Sequence, residues 1–280
     1  MRSFQRPEVR TRSGPDEVRA LGLGPYTTRR IRVGADGVVG RWESRRYRKH
    51  LGAGPPAGST WWAPADRDWW IGVLFAIGSL LFGLGVLPAY ARAAGATPDA
   101  VTFFAGSLFF TSAAFLQYRE AVDAAPAPGC RRHRVFVLLP GQIDWLSTVV
   151  QLSGTLAFNV STAFTIWASA QGGQHAWRPD VIGSIGFLVA SWLAWSEVCH
   201  GWTAWRPGLV AWWITAVNLA GSVAFGVSAV VNYARPGTTE PLSAALTSIG
   251  TFAGAACFLA GAVLLLVERT ETASGTASGR

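Results

Sequence analysis

The segment Gly78-Ser79-Leu80-Leu81-Phe82 is the first of six similar segments, each of which places a glycine and a small hydroxyl residue inside a long apolar run. Five of the six also carry Phe four residues after the glycine, and the sixth, Gly250-Thr251-Phe252-Ala253-Gly254, lacks it. The six glycines are Gly78, Gly106, Gly154, Gly183, Gly221 and Gly250. On an α-helix four residues turn the side chain by about 40°, so each segment predicts a stripe of small side chains with one ring beside it.

In lipid, apolar helices gain little by hiding apolar surface from each other, and small residues at their interface let the backbones approach closely. We therefore predict that the six glycines are helix-packing residues. They fall into three pairs, and the partners are 28, 29 and 29 residues apart. Trp69, Trp145 and Trp212 each lie nine residues before the first glycine of a pair. The paired glycines and the tryptophans recur with the same spacing, and this repetition predicts three tandem helical hairpins.

The composition is that of a membrane protein. Half of the 280 residues are apolar and only 14% are charged, whereas a soluble domain has about 25% charged residues. About twenty apolar residues span the hydrocarbon core of a bilayer, and six such runs are present. The predicted spans are 70–90, 99–118, 145–168, 181–200, 208–232 and 243–267. The predicted fold is an all-α polytopic membrane helix bundle with six transmembrane helices.

Domain organisation follows from these runs. We predict a basic, largely disordered arm at 1–68, a transmembrane domain at 69–268 and a disordered tail at 269–280. The domain divides into hairpins 69–120, 144–200 and 208–268. Within the arm, residues 31–33 and 38–39 could pair as a weak hairpin. Residues 41–50 are either a basic amphipathic helix on anionic inner-leaflet lipid or solvated chain.

The charge distribution predicts the orientation. Fourteen of the 24 Lys and Arg residues precede the first span, and positive charge concentrates on the cytoplasmic side. We expect a multi-pass protein of the bacterial cytoplasmic membrane with both termini inside. The net charge of +8 is explained by this asymmetry, and nucleic acid is not an expected partner. The expected partners are the lipid bilayer and, through remaining small-residue stripes, a second copy of the chain.

Two acidic residues are predicted at membrane depth. Glu120 and Glu197 each lie fourteen residues after their glycine, which places them on the packing face toward the cytoplasmic end. They could form an ion or proton site facing the bundle interior. Alternatively, they lie at headgroup level, either solvated or paired with Arg119 and the arginines of the following loop. The matching position in the sixth helix is Leu264, which predicts no third carboxylate.

Two amides also lie inside the spans. Gln151 and Asn218 each precede their glycine by three residues and so lie beside the packing face. They could hydrogen bond across the bundle, or they could line a polar path together with Glu120 and Glu197.

Signs of catalysis and of metal binding are weak. Glu197-x-x-His200 matches one half of a di-iron bundle motif, and no second copy follows. The three cysteines have no C-x-x-C spacing, and no nucleophile–base set is recognisable. The sequence therefore predicts no metal, no cofactor and no enzymatic activity.

The two-helix unit at 69–120 resembles the YrhK-like bacterial membrane domain. The resemblance is carried by Trp69-Trp70, Gly78-Ser79, the Phe104–Phe110 segment and Glu120. That family has no assigned activity, so the resemblance implies architecture and no catalytic residues.

Two functional hypotheses follow. The first is a non-enzymatic structural or accessory component of the membrane. The alternative is a small transporter or channel with a polar path between the three hairpins.

Overall fold

The computed structural model describes residues 17–34, 37–51, 58–124, 136–170, 177–232 and 242–270. The elements follow one another along the chain as β1 Glu17–Leu23, β2 Tyr26–Gly34, β3 Gly37–Glu43, α1 Ser44–Arg48, α2 Arg67–Gly85, α3 Pro88–Ala94, α4 Ala96–Ala124, α5 Ile143–Ala170, α6 Trp177–Cys199, α7 Val210–Val231 and α8 Ala244–Thr270.

Six of these helices, α2 and α4 to α8, are long and apolar enough to cross a membrane. The predicted all-α polytopic bundle of six transmembrane helices is therefore confirmed. The helix bounds differ from the predicted spans mainly at the ends. The predicted span 70–90 ends early, because α2 stops at Gly85 and Pro88 begins the short helix α3.

The six spans form a closed ring. Each span packs against the next one along the chain, and α8 packs against α2. We call the end where α2, α5 and α7 begin the arm face, because residues 17–51 lie there, and we call the opposite end the far face. A ring of six helices leaves an axis that every span can reach.

Glycines allow the helices of each hairpin to approach closely. A Cβ atom built on Gly154 would lie 3.1 Å from the carbonyl oxygen of Gly183, and one built on Gly183 would lie 2.8 Å from the ring of Phe158. In the first hairpin the ring of Phe110 covers Gly78, and the ring of Phe82 covers Gly106. The predicted packing glycines thus lie between helices, with a phenylalanine of the partner helix over several of them.

The sixth segment has a different register from the predicted one. Gly254, not Gly250, faces the ring of Phe225, and Phe258 four residues later approaches Gly221. Gly250 also lies between helices, against Ser228 and the carbonyl oxygen of Ala224. The expectation that this copy lacks its phenylalanine is wrong, because Gly254-Ala255 replaces the glycine–hydroxyl pair that marks the other five.

The register shift restores a third carboxylate. Counting fourteen residues from Gly254 leads to Glu268 rather than to Leu264. Glu268 is 1% exposed and lies at the arm face, as Glu120 and Glu197 do. The prediction of a broken threefold set is therefore wrong.

The arm is more ordered than we predicted. Strands β1, β2 and β3 form an antiparallel sheet in that order, and Val33 pairs with Val38 as the weak hairpin required. The expectation of a largely disordered arm therefore fails for residues 17–34 and 37–51. Leu23 of β1 packs with Ile143 and Leu193 at the arm face, so apolar contact with the bundle holds the sheet in place.

The predicted lipid-surface helix at 41–50 is also corrected. Only Ser44–Arg48 is helical, and Arg48 is buried. The side chains of Arg45, Arg48 and Lys49 extend into the bundle rather than toward a lipid surface. Residues 52–57, most of the predicted disordered tail (271–280) and the loop residues 131–134 lie outside the described residues.

Candidate functional site

A cluster of buried ion pairs closes the arm face. Glu120, Glu197 and Glu268 come from the ends of α4, α6 and α8, and we call these three the glutamate ring. All three are more than 90% buried. Asp68 and Asp144 join them from the first turns of α2 and α5. Carboxylates at this depth are costly unless they are paired.

Their partners come from the arm. Arg45, Arg48 and Lys49 occupy positions i, i+3 and i+4 around helix α1 and so share one face. Arg45 donates to both carboxylate oxygens of Glu268, from Nε at 2.7 Å and from Nη2 at 2.8 Å. Arg48 donates to Glu197 from Nη1 at 2.9 Å and from Nη2 at 3.2 Å. Two members of the glutamate ring therefore each hold a guanidinium group in a bidentate pair.

Arg48 also contacts two further carboxylates. Its Nη1 lies 3.0 Å from Asp144 Oδ2, and its Nε lies 3.5 Å from Glu120 Oε1. Burial alone would lower the pKa of Arg48, but Glu197, Asp144 and Glu120 outweigh it and raise that pKa well above its usual value. Arg48 is thus firmly cationic and joins three spans.

Lys49 completes the cluster more loosely. Its Nζ lies 3.6 Å from Asp68 Oδ2 and 3.6 Å from Glu120 Oε2. Burial lowers the pKa of Lys49, and the same two carboxylates raise it above its ordinary value. Three cations therefore face five carboxylates, and the cluster retains an excess of negative charge.

Glu120 differs from its two equivalents. Its ion-pair contacts are at 3.5 and 3.6 Å, beyond the usual range of a hydrogen bond. Among the described residues its Oε1 is buried without a hydrogen-bond partner. Gln117 lies one turn earlier on the same helix, and its Oε1 is likewise buried without a hydrogen-bond partner among the described residues. Two acceptor oxygens on α4 are thus left without donors.

These oxygens border a cavity on the bundle axis. The cavity has a volume of about 70 Å³ and is lined by residues of all six spans. We call it the arm-side cavity. Its polar lining combines the carboxylates of Glu120, Asp144 and Glu197, the three arm cations Arg45, Arg48 and Lys49, and the amides of Gln117, Gln151 and Asn218. The structure therefore brings together all four residues predicted for a polar path. The arrangement favours the cavity-lining alternative for the two amides.

Six phenylalanines close the axis beyond this cavity. They are Phe82, Phe110, Phe158, Phe187, Phe225 and Phe258, one from each span, and we call them the phenylalanine plug. The rings from α4, α6 and α8 form a triangle with centroids 5.6 to 6.1 Å apart. The rings from α2, α5 and α7 form a second layer, with centroid distances of 5.8 and 6.3 Å. Only a void of about 20 Å³ remains between them.

A larger cavity opens on the other side of the plug. It has a volume of about 640 Å³ and again touches all six spans. Phe82, Phe158 and Phe225 form part of its wall. Most of its other polar lining consists of hydroxyl groups, those of Ser161, Thr162, Thr165, Ser169, Ser228, Thr247, Ser248 and Thr251. Asp99 and Asp180 add two carboxyl groups to this far-side cavity, Arg92 adds a guanidinium and Asn232 adds an amide.

Two other residues singled out in the sequence, Arg119 and His200, make contacts outside the cavity. Arg119 pairs with Asp123 at 2.8 Å, while arm cations pair with Glu120 and Glu197. The loop arginines of the headgroup-level alternative lie outside the described residues. His200 does not face a metal cluster with Glu197. Its Nδ1 lies 2.9 Å from Thr28 Oγ1, which ties the arm sheet to the end of α6. Within the described residues no group of His, Cys, Asp and Glu is placed to hold a metal ion.

Sequence reasoning missed the cations of the site. Arg45, Arg48 and Lys49 looked like part of a surface charge run. The signal that could have found them was their shared helical face, combined with carboxylates at membrane depth that require partners.

Comparison of the chain with protein families, with curated protein sequences and with solved structures finds no match.

Proposed function

We propose that this protein is a gated path for small cations across the membrane. Three cavities follow one another along a single axis, and each is lined by all six spans. This is the observation that carries the proposal, because a bundle built only for packing has no need of polar walls at its centre. Within the buried cluster, five carboxylates face three cations, and this local excess favours cations over anions.

The phenylalanine plug would act as the gate. A hydrophobic constriction can block ions by excluding water, and small ring movements can rewet it. The plug separates the arm-side cavity from the far-side cavity, and its two layers come from alternate spans. The conformation described here is therefore a closed one.

Orientation and membrane are part of the proposal. The arm and its arginines lie on one face, and Trp61, Trp62, Trp202 and Trp205 are exposed near the same end. Tryptophan concentrates at membrane interfaces, and positive charge concentrates on the cytoplasmic side. We infer that the arm face is cytoplasmic and that the membrane is the bacterial cytoplasmic membrane. The similar packing of the three hairpins supports an origin by duplication, and the proposed relation of the repeated unit to the YrhK-like domain depends on the sequence resemblance alone.

Cation flux into liposomes tests the path. Purified protein is reconstituted, and K⁺ and Cl⁻ fluxes are compared under an imposed gradient. Wild-type protein should pass K⁺ in preference to Cl⁻, and Glu197→Gln should reduce that preference because it removes one carboxylate from the cluster. Asp123→Asn is the matched control, since Asp123 belongs to the same face but pairs with Arg67 and Arg119 outside the cavity. Equal, protein-independent fluxes of K⁺ and Cl⁻ would refute the path.

A non-enzymatic structural or accessory component is the second candidate. It is favoured by the closure of the axis at two levels, by buried ion pairs and by a dry plug. Under this alternative neither wild-type protein nor variants with a truncated plug conduct ions.

A further inference from the structure

We propose that the arm-side cavity is a binding site for a small guanidinium-type cation, held by Glu120 and Gln117. The inference deepens the proposed cation path by naming the class of cation. It depends on three observations, which concern the glutamate ring, the unpartnered oxygens and the cavity itself.

The glutamate ring has two members in bidentate guanidinium pairs, whereas the third, Glu120, has only longer ion-pair contacts. Glu197 and Glu268 each bind a guanidinium group of the arm through two hydrogen bonds. Glu120 occupies the equivalent place at the end of α4, yet the nearest cationic nitrogens lie 3.5 and 3.6 Å away. The arm carries two arginines into a ring of three glutamates, so the third position lacks its own bidentate partner.

Two acceptors face that position. Glu120 is 7% exposed, and its Oε1 has no hydrogen-bond partner among the described residues. The Oε1 atom of Gln117 is also buried without one. A buried acceptor left without a donor destabilises the fold. A ligand with several N–H donors would satisfy both oxygens at once.

The cavity has the size and the walls for such a ligand. Its volume of about 70 Å³ exceeds the roughly 10–15 Å³ that one water molecule needs on the same measure. Gln151 and Asn218 add amide groups, Phe75 and Phe258 add aromatic faces, and the arm cations line the remaining side. A planar guanidinium is weakly hydrated and stacks on aromatic rings, so it suits a wall that joins paired acceptors to aromatic faces.

Ligand-dependent thermal stability of the purified full-length protein tests the site directly. Unfolding in detergent is followed with guanidinium, ammonium, K⁺ or tetramethylammonium, each as the chloride at millimolar concentration and equal ionic strength. We expect a saturable rise in Tm with guanidinium that exceeds the rise with the other three cations. Equal shifts for all four would overturn the proposal, and a larger shift with K⁺ would overturn the class of ligand.

Variants locate the site. Glu120→Gln should abolish the guanidinium-specific shift and Gln117→Leu should weaken it, whereas Asp123→Asn should keep it. If Glu120→Gln does not fold, Gln117→Leu still decides, and an undiminished shift in that variant would overturn the assignment. Binding in detergent requires no transport. A guanidinium-specific shift without K⁺ flux would therefore support the binding site and refute the path. K⁺ flux without the shift would support the path and refute the binding site.

Discussion

Replacing Gly154 by alanine should separate two helices that now touch through their backbones. The added Cβ would lie 3.1 Å from the carbonyl oxygen of Gly183 and 3.4 Å from the Cα atom of Gly186. Carbon atoms pack best at about 3.5–4.0 Å. Both neighbours are backbone atoms, so neither can turn away as a side-chain end could. Helix α6 as a whole must move by a few tenths of an ångström.

The magnitude follows from two opposing effects. Overpacking in a close-packed interior costs about 1–3 kcal/mol, and exchanging glycine for alanine within a helix gains up to about 1 kcal/mol. The net loss for Gly154→Ala should be about 0–2 kcal/mol, and Gly154→Leu should lose more. Gly226 offers a matched control on α7, since a Cβ there would meet nothing within 4 Å. Gly226→Ala should be neutral or stabilising by up to about 1 kcal/mol.

The assay is reversible unfolding in mixed micelles with increasing SDS, followed by far-ultraviolet circular dichroism. The informative quantity is the difference between the two alanine variants, which should be about 1–3 kcal/mol, because the chemical change is the same in both. If Gly154→Ala and Gly226→Ala unfold at the same SDS fraction, the close backbone contact between α5 and α6 contributes nothing. Our account of the packing glycines would then be wrong.

Three further outcomes are expected. Phe258→Ala should raise K⁺ flux into liposomes at least tenfold, because it removes one ring from the plug triangle, and a flux equal to that of wild-type protein would contradict the gate. Burial first and Arg206 second lower the pKa of His200 from 6.5 to about 4, so the folded state favours the neutral ring. The stability that the neutral His200 ring contributes is complete above about pH 6.5 and should fall as the pH drops toward 4. Tm measured against pH should show this loss, and His200→Asn should have a flatter profile. Cys130 should react with a membrane-impermeant maleimide only from the cytoplasmic side, and labelling from outside would reverse the proposed orientation.

The six spans could be predicted because lipid imposes a simple length and composition requirement on each. The pairing into hairpins could also be predicted, since small residues recur at fixed spacing. The sixth helix shows the limit of that pattern. Gly250-Thr251 matches the glycine–hydroxyl motif in sequence, but Gly254 and Phe258 occupy the packing positions that the motif has in the other helices. The position of a phenylalanine ring depends on its neighbours in space, which a local sequence motif does not show. The sequence did contain one indication of the shifted register, because Glu268 lies fourteen residues after Gly254.

The glutamates of the site could be predicted from their depth in the spans, but their partners could not. Arg45, Arg48 and Lys49 lie about 150 to 220 residues from Glu197 and Glu268 along the chain. No local pattern links such distant segments. Only the folded arm shows that these basic side chains are buried inside the protein. There they pair with carboxylates that would otherwise be too costly to bury.

The contact between α8 and α2 makes the order of the helices circular. A polypeptide whose first and last membrane segments are neighbours could be cut in any of its connecting loops and rejoined through its old ends, with the same six neighbours around the same centre. The arm would remain joined to α2 and would reach the same glutamates. Assembly of the ring and pairing of the arm with its carboxylates therefore depend on which elements are neighbours in space, and not on the order in which the spans are made.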